Sequence, residues 1–148
     1  MAQPGRVLPL EGRPLSLSER ARVALGGEGV SVAASTHPGI HASRRVVEEI
    51  VARGEVIYGI STGFGKLADV HIPPEKCEEL QVNLVRSHSC GIGRQLSGPE
   101  VSAMMLIRAN VLTLGYSGIR LEGIELLVAL PSHGCGPMGP ERGRDGSR

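Results

Sequence analysis

The chain has 148 residues, a formal charge of +1 with acids and bases interspersed, and only 2% aromatic side chains. That length suffices for one domain with a real core, and the balanced charge gives no footprint for nucleic acid or anionic lipid. With so few aromatics, any core must be built from Val, Leu, Ile, Met and Ala. Cys77, Cys90 and Cys135 form an odd set with no Cys-x-x-Cys pair, which suggests neither a disulfide framework nor a zinc site. No apolar h-region follows the N-terminus and no apolar run approaches a membrane span, so a soluble, cytoplasmic chain is expected.

Residues 5–15 read as short extended pieces broken by Pro and Gly. Ser16-Leu17-Ser18-Glu19 predicts a capping box opening a helix through Leu25, stopped by Gly26 and Gly27. Residues 28–41 read as loop with a brief strand at Val30–Val32. His37 and His41 stand four apart, the spacing of a helical metal face, but Pro38 between them argues against a regular helix. They are expected to be solvated loop histidines.

From Ala42 the periodicity predicts a helix, with Val46, Val47, Ile50 and Val51 on one stripe and Gly54 as its stop. Val56 and Ile57 then suit a strand ending in the glycine-rich loop Tyr58-Gly59-Ile60-Ser61-Thr62-Gly63-Phe64-Gly65. Pro73-Pro74-Glu75 opens a second helix, running to about Ser89 and broken by Gly91 and Gly93. Ser97-Gly98-Pro99-Glu100 is another capping box, and a helix apolar nearly all round runs to about Tyr116. A small domain can hardly bury such a helix alone, which hints at oligomerisation. A last helix is expected from Ile119 to Leu130.

The composition then changes. Of the eighteen residues from Pro131 to Arg148, eight are Gly or Pro, and only Cys135 and Met138 are apolar. Such a tail buries too little surface to offset its ordering entropy, so disorder is expected. A Gly/Pro/Arg-rich run of this kind is also what a shifted reading frame through GC-rich coding DNA produces. The division expected is therefore residues 1–130 as a domain and 131–148 as a frameshifted tail.

Three motifs bear on chemistry. Gly65-Lys66 invites a phosphate-loop reading, but Ile60 and Leu67 stand where that loop needs a glycine and a hydroxyl. Tyr58 sits on the glycine-rich turn, where Gly59, Gly63 and Gly65 permit unusual backbone angles or close approach. Thirty residues on comes Leu84-Val85-Arg86-Ser87-His88-Ser89-Cys90-Gly91-Ile92-Gly93. A lone histidine at a helix end usually packs or is solvated without further role.

Together, however, the Tyr58–Gly65 and Leu84–Gly93 strings and their spacing resemble the aromatic amino acid ammonia-lyase family, over roughly residues 43–130. Arg108, Asn110, Leu112, Gly115, Ser117, Gly118 and Arg120 are similar to that family's long helix and the turn after it. The resemblance implies a mainly α fold with a few short N-terminal strands, like the N-terminal domain of the ammonia-lyase (fumarase/aspartase-like) fold. It implies β-elimination of ammonia, with Tyr58 as general base and Gly59, Gly63, Phe64 and Gly65 forming the loop that closes over substrate. Free tyrosine titrates near ~10, so such a base works only if the site stabilises its anion.

The Ser87-His88 pair resembles that of the histidine-specific members, which implies L-histidine as substrate, urocanate as product and a place in histidine catabolism. A histidine here can hydrogen-bond an imidazole, since each neutral ring offers one donor and one acceptor. The resemblance also implies a homotetramer whose sites draw side chains from several subunits. The family's electrophile is a methylidene-imidazolone formed from its own Ala-Ser-Gly, and this sequence contains no such triad. The chain is thus expected to form no cofactor and to be an inactive N-terminal fragment by itself. Another reading is a non-catalytic subunit binding a full-length lyase, and a third is an unrelated small helical adaptor.

Overall fold

In a computed structural model, residues 7–63, 72–132 and 140–143 are described. They are mostly helical with a few short strands. The chain divides into two compact units, one made of Met1–Arg44 with Gln95–Gly139 and the other of Arg45–Arg94 with Pro140–Arg148.

The first unit begins with β1 (Val7–Leu10), whose alternation puts Leu8 and Leu10 inward and Val7 and Pro9 outward. Helix α1 (Leu17–Gly26) follows, and Ser16 opens it with the expected capping box. The Glu19 N–H donates to Ser16 Oγ at 3.2 Å, and the Ser16 N–H donates to the Glu19 carboxylate at 2.7 Å. Gly27 closes the helix at φ 67°, a left-handed conformation a side chain would oppose. Strand β2 (Gly29–Val32) then pairs with β1 in parallel, Leu8 opposite Val30 and Leu10 opposite Val32.

Helix α4 (Gly98–Leu112) packs on α1 and on α5 (Leu121–Ser132), and α5 packs on β2. Their apolar faces enclose one core around Leu8, Leu10, Val23, Leu106, Ala109 and Ile124. Asn110, 7% exposed, ties this core to the N-terminal segment. Its Oδ1 accepts from the Gly12 N–H at 3.3 Å, and its Nδ2 donates to the Arg13 carbonyl at 2.8 Å.

The turn between α4 and α5 is seated on the start of α2 (His37–Ala52). The Gly118 N–H donates to Ser43 Oγ at 2.8 Å, and Gly115 has φ 75°. A Cβ on Gly115 would lie 2.7 Å from the Gly39 carbonyl carbon, so only glycine fits this backbone-to-backbone approach.

Helix α2 starts earlier than expected and includes both His37 and His41. Pro38 is its second residue, where the missing N–H would have had no intrahelical acceptor anyway, so the proline opens the helix instead of preventing it. The two rings sit 6.4 Å apart, edge to face. Helix α4 also differs from expectation: it ends at Leu112, not near Tyr116, and Met104, Ile107, Val111 and Leu114 remain exposed along one stripe.

In the second unit, the latter part of α2 leads through a turn to α3 (Cys77–His88), preceded by a 3-10 turn over Pro74–Lys76. Gly91 and Gly93 do not simply break the chain, because Gly91–Gln95 forms β3. Its partner is β4 (Pro140–Gly143). Those four residues fall in the stretch expected to be disordered, and α5 reaches Ser132. Strand pairing is a backbone interaction and needs no apolar side chain, so composition alone misjudged them. Residues 133–139 and 144–148 of that stretch lie outside the described residues. No helix among the described residues is long and apolar enough to cross a membrane.

Candidate active site

The segment bearing Tyr58 starts at the end of α2. Gly54 takes φ 65° and donates its N–H to the Val51 carbonyl at 3.1 Å, while the Glu55 N–H reaches the Ile50 carbonyl at 3.2 Å. This paired arrangement ends the helix and directs the chain outward. Val56 and Ile57 do not form the expected strand; residues 58–61 form a turn instead.

The reason is a local hydrogen-bonding hydroxyl. Ser61 Oγ accepts from the Ile57 N–H at 3.0 Å and donates to the Glu55 carbonyl. The Ile57 carbonyl in turn accepts from the N–H groups of Ile60 and Ser61, both at 3.1 Å. Serine thereby offers the backbone an alternative to a sheet ladder. Ser61 and Thr62 are buried, and Thr62 Oγ1 donates to the Gly63 carbonyl at 2.9 Å.

Tyr58 projects from this turn with 63% of its surface exposed. Gly59 immediately after it has φ 78°, so glycine is required there. Gly63 is buried and does not take a positive φ. Phe64 and Gly65, the remaining loop residues of the expected site, lie outside the described residues.

His88 is the last residue of α3 and half-buried, with Ser87 exposed beside it. Ring Nδ1 lies 3.0 Å from the Leu84 carbonyl and 2.9 Å from Ser87 Oγ. Ser87 Oγ also donates to the Leu84 carbonyl at 3.0 Å. A carbonyl only accepts, so Nδ1 contacts it as a donor, and a neutral ring then keeps its lone pair on Nε2. The ring is oriented by its own helix.

The structure thus joins Ser87 to His88 directly and places Tyr58 on a separate turn of the same unit. It adds Ser61, a residue of the glycine-rich motif whose hydrogen-bonding task the sequence does not announce. The available signal was a hydroxyl residue inside a glycine-rich turn, a common source of side-chain-to-backbone bonds. Among the described residues no group of three or more His, Cys, Asp or Glu is arranged to hold a metal ion.

Comparison with known proteins gives a consistent result. The family model described as aromatic amino acid lyase matches residues 15–147, which includes the tail where composition shifts. A histidine ammonia-lyase from Geobacillus thermodenitrificans is 43% identical over 141 residues, covering 95% of this chain and 28% of the relative. Among solved structures, tyrosine aminomutase from Streptomyces globisporus superposes with a TM-score of 0.87 at 34% identity, covering 93% of this chain and 26% of that one. Histidine ammonia-lyase from Trypanosoma cruzi gives 0.84, also at 34% identity, with coverages of 93% and 26%. The chain therefore spans little more than a quarter of the length of these three proteins.

Proposed function

Because the chain belongs to the aromatic amino acid lyase family, we propose that it supplies the base and the substrate reader of a histidine ammonia-lyase. The reaction would be the non-oxidative conversion of L-histidine to urocanate and ammonia. Tyr58 is the base, its side-chain oxygen taking a proton from the β-carbon. The electron pair left behind becomes the new carbon–carbon double bond as the carbon–nitrogen bond breaks and the amine leaves. His88 selects the substrate, accepting through Nε2 a hydrogen bond from the substrate imidazole N–H.

The observation that carries this reading is the Ser87–His88 pair. Its ring is held through Nδ1 by a helix carbonyl and a neighbouring hydroxyl, leaving one ring nitrogen for recognition. The high identity to histidine ammonia-lyases supports the same substrate.

The family's methylidene-imidazolone does not fit the residues present, since the 148 residues include no Ala-Ser-Gly. The 148-residue chain by itself is accordingly proposed to form no urocanate, and the working unit to be a longer protein acting in the cytoplasm as a homotetramer.

The test uses a full-length lyase containing this sequence. Tyr58→Phe should lower kcat by about 10²–10⁴-fold, the range for loss of a general base, without loss of folded protein, because Tyr58 is 63% exposed. Replacing His88 by Ala should raise KM for histidine more than for other aromatic amino acids. Full activity in Tyr58→Phe, or an unchanged substrate order in His88→Ala, would sink the corresponding assignment.

A second reading has its own observation. Met104, Ile107, Val111 and Leu114 form an exposed apolar stripe on α4 and the residues after it. As a non-catalytic subunit, the chain would bind a full-length lyase through that stripe. Co-purification of the 148-residue chain with a lyase, abolished by Ile107→Glu, separates this reading from the first.

A further inference from the structure

We infer that Ser61 is a positioning residue for Tyr58, its buried side chain and backbone fixing the two peptide planes that lead into the tyrosine. The inference rests on the assignment of Tyr58 as the base and adds a residue to it.

The geometry is specific. The peptide plane before Ile57 is tied through the Ile57 N–H to Ser61 Oγ at 3.0 Å. The plane between Ile57 and Tyr58 is tied through the Ile57 carbonyl, which accepts from the Ser61 N–H at 3.1 Å. Ser61 Oγ also holds the Glu55 carbonyl, at the point where the chain leaves α2. The Ser61 carbonyl accepts from the Ile72 N–H at 2.9 Å, eleven residues on in sequence. One residue thus uses both backbone groups and both capacities of its hydroxyl to link three segments.

Exposure separates the two roles. Tyr58 is 63% exposed and able to meet substrate, whereas Ser61 is only 4% exposed. With Gly59 turning the chain directly after Tyr58 at φ 78°, the glycine sets the exit and the serine sets the entry. A base must lie within hydrogen-bond reach of the proton it removes, and a displacement of about 1 Å can cost about 10²-fold in rate. Alanine at 61 would release the Ile57 N–H and the Glu55 carbonyl together. Threonine keeps the oxygen that holds them.

The experiment compares Ser61→Ala, Ser61→Thr, Tyr58→Phe and the Ser61→Ala/Tyr58→Phe double variant in a full-length lyase containing this sequence. Ser61→Ala is expected to lower kcat about 10²-fold with KM little changed, and Ser61→Thr to restore most of it. In the Tyr58→Phe background, Ser61→Ala should cost almost nothing more, because a residue acting through Tyr58 has nothing left to position. An unchanged kcat in Ser61→Ala overturns the inference. So does an equal further loss in the double variant, which would mark Ser61 as general scaffolding. If Ser61→Ala does not accumulate as folded protein, Ser61→Cys gives the same readings with a weaker donor and acceptor of similar size. Should Tyr58→Phe itself keep full activity, the base assignment falls. If it loses activity while Ser61→Ala does not, only the role of Ser61 falls.

Discussion

The two units hold themselves together by different means. In the first, Leu8, Leu10, Val23, Leu106, Ala109 and Ile124 bury apolar surface against one another, and Leu10, Ala109 and Ile124 are fully enclosed. In the second, the buried side chains among the described residues of 45–94 are Ile50, Ser61 and Thr62, and two of those three are polar. Apolar burial is non-directional and scales with area, so it supplies stability and tolerates modest repacking. Hydrogen bonds fix direction but add little net stability each. The candidate base sits in the second kind of environment, where orientation is what the surrounding groups specify.

The largest expected effect lies in the apolar unit. Ile124→Ala removes a fully enclosed side chain, and should lower unfolding free energy by about 2–5 kcal/mol, read as a shift in urea midpoint. A loss below about 1 kcal/mol would mean that the core repacks freely, a softness the enclosure of Leu10, Ala109 and Ile124 argues against.

Gly115→Ala should come next. The new Cβ would stand 2.7 Å from the Gly39 carbonyl carbon and 2.9 Å from its oxygen. Backbone lies on both sides of that contact, so no rotamer relieves it. With φ at 75° added, the loss should be about 1–3 kcal/mol. The same measurement on Gly26→Ala sharpens the point: nothing lies within 4 Å of a Cβ there, and its stability should change little or rise.

How far each unit was legible in the sequence follows the same division. In the apolar unit, local codes state the structure openly: Ser16 with Glu19 and Ser97 with Glu100 mark helix starts, and Gly27 marks an end. The misplaced start of α2 came from treating Pro38 as a helix breaker when its position made it a helix opener. In the second unit the sequence was less readable. Val56 and Ile57 have strand composition, yet a serine four residues after Ile57 captures the backbone they would have paired. Strand β3 carries two glycines, Gly91 and Gly93, and its partner lies nearly fifty residues away, so no local pattern announces the pairing. Tyr58, Ser87 and His88 entered through family resemblance; helix periodicity would have left them as ordinary surface groups. The close approach of Gly115 to Gly39 is a tertiary fact that no window of sequence contains.

The smallest expected effect tests whether charge contributes to the apolar unit at all. The Glu19 carboxylate is pushed down to about 2, chiefly by hydrogen bonds from Arg13 and next by the Ser16 N–H. Arg13 Nη1 and Nη2 reach its two oxygens at 3.2 and 2.5 Å. A carboxyl whose folded value is depressed favours the folded state above its ordinary titration range, near 4.5, and that contribution disappears as pH falls from there through about 2. Stability of the native chain should therefore fall more steeply over this interval than that of Glu19→Gln, which has no carboxyl to protonate. Arg13 is solvent-exposed and Glu19 partly so, so added salt should shrink the difference between the two curves. Parallel curves for the two proteins would show that the capping geometry of Ser16 suffices without the charge. The first unit would then be held by apolar burial and backbone hydrogen bonds, with its surface ion pair energetically silent.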